Sequence, residues 1–366
     1  MDLPPVGSLL RNPALATTLE GIARDGKAGF YRGPVAERLG AFLASGGGHL
    51  RAGDFSRHTS TWVEPLSASY GGHDILAFPP NTQGLAQIQL FEMAKYRPIN
   101  ELDHNSSSYL HELIELKKVA FADRDRWVAD PEQADIPVND LLDPAYLEGR
   151  ASLVDPTRAA PSVAPGLGEV STGERAAADD SGDTVYLTAV DQWGNAVSWI
   201  QSLFAGFGSG LFEPETGIML QNRGSLFALE EGHPNRVAPG KRPYHTLSPL
   251  LALRDGRLAF TLGTPGGDSQ PQSLLQIVNN LLLFGMTPQE AIEAPRFRSY
   301  PGLRVAIEDR VSPAVREELA ALGHELRVVR GWTATFGGAQ MILVEPGSGT
   351  LAVGSDPRRE AYGLAY

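Results

Sequence analysis

The chain is organised around one stretch, Asp183-Thr184-Val185-Tyr186-Leu187-Thr188-Ala189-Val190-Asp191. Apolar and polar residues alternate after Thr184, which predicts a β-strand with one buried face. The turn residues Gln192-Trp193-Gly194-Asn195 follow, and then a second alternating stretch at 196–202 completes a predicted hairpin. On this pattern alone, Thr184 is most simply a β-branched residue at the start of a strand.

The composition is that of a globular protein, with 42% hydrophobic and 20% charged residues in a chain of 366. The formal net charge of -12 argues against a nucleic-acid-binding surface and leaves a small polar or charged metabolite open as the partner. The sequence contains no cysteine, which excludes disulfides, thiolate metal sites and a cysteine nucleophile. The histidines show no metal-ligand spacing, and we therefore expect neither a metal nor a cofactor.

The sequence contains no candidate for a membrane-spanning helix. Crossing a bilayer takes ~18 consecutive apolar residues, and the nearest stretch, 274–286, is interrupted by Gln276, Asn279 and Asn280. The first eight residues lack the basic region and apolar core of a signal peptide. We therefore expect a cytoplasmic protein without membrane association. A periplasmic or secreted location stays open if the N-terminus is truncated.

The order of predicted elements indicates an α+β fold. Helical periodicity marks 13–23, 34–44, 85–96 and 106–129, whereas strands dominate after Thr184, with helices at 270–284, 288–293 and 313–322. The charge run at 121–126 fits either a solvated helix face or buried ion pairs.

Residues 155–183 are rich in Pro, Gly, Ser, Ala and Asp, and they predict a flexible linker. This linker ends directly before Thr184. Farther along, Gly266 and Gly267 precede a predicted helix. Two glycine amides there can donate to an anion or oxyanion, although a tight turn is the simpler explanation.

From Gly7 to Tyr366 the chain resembles the gamma-glutamyltranspeptidase family of N-terminal nucleophile hydrolases. Each motif is weak alone, but their joint order is specific. The motifs are Pro79-Pro80-Asn81-Thr82-Gln83-Gly84, Ala122-Asp123-Arg124, Asp183-Thr184, Phe207-Gly208-Ser209-Gly210, Gly240-Lys241-Arg242-Pro243, Thr264-Pro265-Gly266-Gly267 and Ser355-Asp356-Pro357-Arg358.

The resemblance implies a four-layer αββα sandwich and a precursor that cuts itself between Asp183 and Thr184. Residues 1–183, ending in the linker 155–183, would be the C-terminal portion of the large (α) subunit. Residues 184–366 would be the small (β) subunit, and the two would form a heterodimer with one composite domain. The family normally has a longer N-terminal part, so a missing N-terminal segment or a partner chain is expected.

The resemblance also implies the roles of four catalytic residues. Thr184 would be the nucleophile, and its freed α-amine, with a pKa near 8, would be the base. The Gly266 and Gly267 amides would stabilise the oxyanion. Ser202 aligns with a family hydroxyl residue that hydrogen-bonds the nucleophile.

The predicted substrate-binding residues are Phe204, Asn222, Arg223, His245 and Thr246. Typical gamma-glutamyl enzymes have a Gln at the position of Arg223, a Ser-Ser pair at His245-Thr246 and an Asp where this chain has Leu226. A cation at position 223 would repel a substrate ammonium and favour a carboxylate. These departures look more like the acylase and oxamate amidohydrolase-like branch.

The sequence therefore predicts an amidohydrolase that forms an acyl-enzyme ester, on a small-molecule amide whose acyl group carries a carboxylate. One alternative is a conventional gamma-glutamyltransferase or glutathione hydrolase. Another is an inactive fragment, or a subunit that needs a partner chain.

Overall fold

The computed structural model describes residues 5–168 and 182–365. The helices are α1 (Pro13–Asp25), α2 (Ala28–Tyr31), α3 (Pro34–Ser45), α4 (Ala52–Arg57), α5 (Gly84–Ala94), α6 (Ser107–Trp127), α7 (Val138–Leu141), α8 (Pro144–Ala151), α9 (Ser269–Leu282), α10 (Pro288–Glu293) and α11 (Pro313–Ala321). The strands are β1 (Leu66–Tyr70), β2 (His73–Ala77), β3 (Gly182–Val190), β4 (Ala196–Ala205), β5 (Phe212–Glu213), β6 (Ile218–Met219), β7 (Leu250–Arg254), β8 (Arg257–Gly263), β9 (Phe297–Ser299), β10 (Arg304–Glu308), β11 (Glu325–Val329), β12 (Gln340–Val344) and β13 (Leu351–Ser355).

The chain divides into two compact units, 1–62 with 207–222, and 63–206 with 223–366. The first unit holds α1–α4 and the short β5–β6 pair. Asn12 caps its first helix: the Asn12 side chain accepts a hydrogen bond from Leu15 N at 3.0 Å, and Pro13 is the first helical residue. Both features favour a helix start at this point, as the sequence predicts.

The second unit is built on a six-stranded sheet in the order β1-β2-β7-β8-β12-β13, whose neighbouring strands are all antiparallel. Helix α5 packs on β1 and β2 and contacts α6 and α9. Ile75, Leu110, Phe260 and Ile277 are among the fully buried residues between these layers. The α5–α6–α9 layer and the sheet therefore enclose the main core.

The β3–β4 hairpin contacts β8 and β12 of the six-stranded sheet, and so forms a second sheet against the first. Tyr186 points into this interface and covers Gly263, where a Cβ atom would lie 2.2 Å from the Tyr186 ring. The Thr188 and Thr261 hydroxyls meet at 2.5 Å between the same two sheets. The α+β class is thus the observed one.

Alternation along the hairpin leaves apolar side chains on its outer face. Val185, Leu187 and Trp199 are each more than half exposed. Side chains at every second position of a strand point the same way, and these three share the face opposite Tyr186. The hairpin therefore has one face packed on the sheet and one apolar face in solvent.

The charge run at the end of α6 forms buried ion pairs. Asp123 and Arg124 are 1% and 2% exposed. Asp123 pairs with Arg150 at 3.0 Å, and Arg124 pairs with Asp268 at 2.9 Å. Of the two interpretations left open above, burial holds for these residues, because the C-terminal half of α6 lies among neighbouring elements rather than on a solvated face.

Residues 155–168 differ from the predicted flexible linker. Ala159 N donates to Leu322 O at 2.7 Å, Lys118 Nζ donates to Ala160 O at 2.7 Å, and Trp127 Nε1 donates to Leu167 O at 3.0 Å. Composition misses this because the partners lie on distant helices. The rest of the predicted linker, 169–181, lies outside the described residues. The predicted subunit boundary, Asp183–Thr184, falls inside β3 and inside the second unit.

In the described ranges, no helix combines the length and apolar character needed to span a membrane.

Candidate active site

Thr184 and Ser202 face each other across the β3–β4 hairpin. The hairpin register pairs these two residues, with an irregularity between Asp183 and Thr184. The Thr184 Oγ1 and Ser202 Oγ atoms lie 2.8 Å apart, and Ser202 Oγ is also 3.2 Å from the backbone carbonyl oxygen of Asp183. The hydroxyl of the predicted nucleophile and the carbonyl of the predicted scissile bond therefore share one neighbour.

The contacts of Ser202 determine where its proton lies. The Phe204 amide donates to Ser202 Oγ at 2.8 Å, and the Asp183 carbonyl can only accept. Ser202 therefore donates to the Asp183 carbonyl when all contacts are made, and Thr184 donates to Ser202. In this arrangement Ser202 polarises the carbonyl while its oxygen draws the proton of the Thr184 hydroxyl.

Gly266 and Gly267 both have positive φ angles, which glycine adopts more readily than other residues. Gly266 has φ 129° and Gly267 has φ 58°, and a Cβ at Gly266 would lie 2.1 Å from Ser269 Oγ. Within the described residues, neither glycine amide donates a hydrogen bond to the protein. Pro265, next to the pair, and Thr184 line one cavity of about 720 Å³. The amides therefore keep the donor capacity that an oxyanion site needs.

Gln83 was not among the predicted site residues, yet it connects the site. Its Nε2 donates to the carbonyl oxygens of Thr246 at 2.5 Å and Gly267 at 2.9 Å. Its Oε1 accepts from Arg124 at 3.1 Å and Tyr244 at 3.2 Å. The sequence signal for Gln83 is its place in the family motif at 79–84. The Gln83 side chain is fully buried, so water does not compete for its hydrogen bonds. Its bond to the Gly267 carbonyl therefore fixes the position of the glycine loop.

Arg223, Phe204 and Thr246 come together in the second unit. Arg223 Nη1 donates to Thr246 Oγ1 at 2.8 Å, and the guanidinium carbon lies 4.6 Å from the centre of the Phe204 ring. Burial lowers the pKa of Arg223 to about 10, partly opposed by Tyr244 and Asp268, so the group keeps its charge at neutral pH. Phe204 also contacts Ser202 through its amide. The predicted cation is thus linked to the Thr184–Ser202 pair through one residue.

His245 is held by its backbone beside Gln83 and Asn81. Gln83 N donates to His245 O at 3.1 Å, and His245 N donates to Asn81 O at 3.0 Å. Burial, with a smaller effect of the Arg223 charge, lowers the pKa of His245 to about 3. The imidazole is therefore neutral at physiological pH. Leu226 is buried with Leu85 and Tyr244 in a small apolar cluster, which offers no anion to a substrate ammonium.

Asn222 belongs to the first compact unit, whereas the other predicted site residues belong to the second. It is partly exposed. Its predicted role in substrate binding stays a prediction, as do the catalytic and binding roles of the other residues.

One buried group in the described ranges has the residue types of a metal site, namely His111, Glu115 and His324, with ligand atoms within 4.8 Å of one another. His111 Nδ1 lies 2.8 Å from His324 Nε2, and His111 Nε2 lies 2.8 Å from Asp155 O. Lys118 Nζ donates to Glu115 Oε1 at 2.7 Å. Hydrogen bonds thus engage these atoms, and an ammonium already occupies the place beside the carboxylate.

Comparison with known proteins identifies the family to which the sequence is similar. The family model described as gamma-glutamyltranspeptidase matches residues 1–366. The glutathione hydrolase-like YwrD proenzyme of Bacillus subtilis (strain 168) is 36% identical over 362 residues, 97% of this chain and 66% of the relative. The oxamate amidohydrolase proenzyme of Klebsiella pneumoniae is also 36% identical, over 373 residues, covering 100% of this chain and 67% of the relative.

The fold has a close counterpart among solved structures. The cephalosporin acylase from Bacillus halodurans matches with a TM-score of 0.86 and 34% identity, over 97% of this chain and 62% of that chain. This match confirms the fold class expected above, that of the N-terminal nucleophile hydrolases. The chain spans about two thirds of the length of the relatives it matches.

Proposed function

The chain belongs to the gamma-glutamyltranspeptidase family, and we propose that it cleaves itself before Thr184 and then hydrolyses an amide bond through an acyl-enzyme ester. The observation that carries the proposal is the contact of Ser202 Oγ with both Thr184 Oγ1 and the Asp183 carbonyl oxygen. The proenzyme names of the relatives are consistent with it.

Self-cleavage would begin with attack of Thr184 Oγ1 on the carbonyl carbon of Asp183. The hydroxyl proton passes by way of Ser202 to the departing amide nitrogen. The C–N bond breaks, which leaves an ester between Asp183 and Thr184 Oγ1 and a free α-amine. Water then hydrolyses the ester, and residue 183 becomes a C-terminal carboxylate.

Turnover would use the new α-amine of Thr184 as the base. The hydroxyl attacks the substrate carbonyl, the amides of Gly266 and Gly267 donate to the oxyanion, and the amine product leaves with a proton. Water hydrolyses the acyl ester and regenerates Thr184. Each oxyanion donor of this kind typically lowers the barrier by about 3 kcal/mol.

Intact mass of the freshly purified chain tests the proposal. Two pieces that divide before Thr184 are expected, whereas Thr184→Ala should stay whole and turn over no amide. Thr188→Ala is the matched control, because it removes a hydroxyl from the same strand that bonds Thr261 instead. A wild-type chain that stays whole while hydrolysing amides would overturn the proposal.

For the substrate, we propose an amide whose acyl side carries a carboxylate. Arg223 supports this, because a buried guanidinium lined by Phe204 and Thr246 recognises an anion and opposes an ammonium. The name of the Klebsiella relative refers to oxamate, which has a carboxylate beside its amide. Oxamate should be turned over faster than a gamma-glutamyl anilide. Arg223→Gln should lower the turnover rate of oxamate more than that of the anilide. The reverse preference would favour a conventional gamma-glutamyl enzyme.

The exposed apolar face of the hairpin favours a second candidate, in which this chain is a fragment or subunit that is inactive without further polypeptide. Val185, Leu187 and Trp199 form this face, and isolated monomers seldom expose large apolar patches. The candidate predicts that the chain alone binds an apolar-surface dye, stays uncut and turns over no amide. Cleavage and turnover by the chain alone would exclude it.

A further inference from the structure

A cavity lined by α6, Asp268 and residues 298–302 contains a buried lysine that has no ion-pair partner among the described residues. Lys117, on α6, is 4% exposed. Its Nζ atom lies 3.5 Å from the carbonyl oxygen of Tyr300 and 4.5 Å from the centre of the Phe121 ring. No salt bridge within the described residues includes Lys117. An ammonium taken out of water normally requires a close anion, so this group lacks a partner of the kind it needs.

The cavity around Lys117 is rich in cations. It has a volume of about 150 Å³, and Lys117, Lys118, Arg124 and Arg298 all line it. Lys118 is paired with Glu115 at 2.7 Å. Arg124 is paired with Asp125 and Asp268, and Arg298 donates to the Thr335 carbonyl oxygen at 3.3 Å.

The two carboxylates that line the cavity, Asp125 and Asp268, both contact Arg124, at 2.7 Å and 2.9 Å. Their ion pairs are therefore with Arg124, and Lys117 feels their charges only at longer range. The exposed residues Pro161, Ser162 and Gly302 form part of the cavity rim, which gives a small solute access from solvent.

We propose that this cavity binds a small oxyanion, of the size and charge of sulfate or phosphate, through Lys117 Nζ. A tetrahedral anion fits within the cavity and supplies the negative charge that the lysine lacks. A charge-assisted hydrogen bond in such a setting is worth more than a neutral one. The site lies apart from the Thr184–Ser202 pair and is independent of the proposed amide hydrolysis.

The titration of Lys117 agrees with this geometry. Burial is the main reason that its pKa falls to about 7, and the charges of Arg124 and Lys118 lower it further, against the opposing effects of Asp268 and Asp125. Arg298 is a further cation among the residues that line the cavity. A bound anion would favour the charged amine, so binding should take up protons near neutral pH. Sulfate affinity should accordingly fall as the pH rises through 7, while sulfate itself keeps its charge.

Isothermal titration of the full chain with sodium sulfate tests the site, against sodium chloride at equal ionic strength. Wild type should bind sulfate, and Lys117→Met should bind about ten- to a hundredfold more weakly, the loss expected for one charged hydrogen bond. Lys95→Met, which removes a partly exposed lysine elsewhere, should bind as wild type does. Near-ultraviolet circular dichroism establishes that both variants are folded. Absence of sulfate binding by wild type, or unchanged affinity in a folded Lys117→Met, would overturn the proposal.

Discussion

Ser202 Oγ lies 2.8 Å from Thr184 Oγ1 and 3.2 Å from the carbonyl oxygen of the preceding residue, Asp183. The proposed nucleophile, its proposed proton acceptor and the proposed scissile bond are thus neighbours on one hairpin. Thr184 is only 4% exposed, so bulk water competes little for these contacts.

Ser202→Ala should slow self-cleavage on the order of a hundredfold, because the Asp183 carbonyl loses a donor and Thr184 loses the acceptor of its proton. Intact mass followed over time measures the rate. Ser198→Ala is the matched control, since Ser198 lies on the same strand but bonds Tyr186 and Leu250 instead. Equal cleavage rates in the two variants would argue against a role for Ser202.

Gly266→Ala should abolish amide turnover. The φ of 129° and the close Ser269 hydroxyl force the peptide to move when a Cβ is added, and the oxyanion donors move with it. Gly285→Ala is the control, because Gly285 also has a positive φ, 66°, but has open space around its Cβ position. Gly285→Ala should lose about 1–2 kcal/mol of stability, and Gly266→Ala should lose more, because its added Cβ also meets the Ser269 hydroxyl. A Gly266→Ala enzyme with normal kcat would contradict the oxyanion assignment.

Gln83→Met should lower the free energy of unfolding by about 2–4 kcal/mol and reduce turnover. The substitution removes the buried hydrogen bonds that Gln83 donates to the Thr246 and Gly267 carbonyls and the two that it accepts from Arg124 and Tyr244. Gln87→Met, in α5 one turn after Gln83, removes the hydrogen bond from the Ser248 hydroxyl, so it should cost about 1 kcal/mol. Urea unfolding and kcat measure the two effects. If Gln87→Met proved as damaging as Gln83→Met, Gln83 would hold no special place in the site.

Stability should fall with acidification between pH 7 and 5, partly because of His245. Its folded pKa of about 3 lies below the ordinary value of 6.5, so only the unfolded chain binds the proton in this window. The free energy of unfolding therefore falls as the pH falls below 6.5, by about 2 kcal/mol at pH 5 for this residue.

His245→Asn should remove that part of the pH dependence. Asparagine keeps an acceptor for the Leu247 amide, which donates to His245 Nδ1 at 3.3 Å, but it does not titrate. Urea unfolding at the two pH values measures the slope. His49→Asn, at an exposed position, should leave the slope unchanged. The same steep slope in His245→Asn would show that other groups, such as the buried His324, cause it.

Several features of this protein follow from local sequence. The alternation after Thr184 and the turn at 192–195 specify the hairpin, because strand and turn preferences act between near neighbours. The ordered motifs indicated the family, and the match over the whole chain confirms that resemblance. Gly266 and Gly267 both have positive φ values, which glycine adopts readily, whereas their oxyanion role stays a prediction.

Other features depend on contacts between residues far apart in the chain, and local sequence patterns do not predict such contacts. Arg124 looked equally suited to solvent or to burial until it was seen beside Asp268, 144 positions away. Gln83 gained its place only because folding brings Gly267, 184 positions away, against its side chain. Alternation and composition indicate which side chains prefer water. Tertiary packing determines which buried polar groups form hydrogen bonds with one another, because those groups come from distant parts of the chain. The hydrogen bond from Gln83 to the glycine loop is of this second kind.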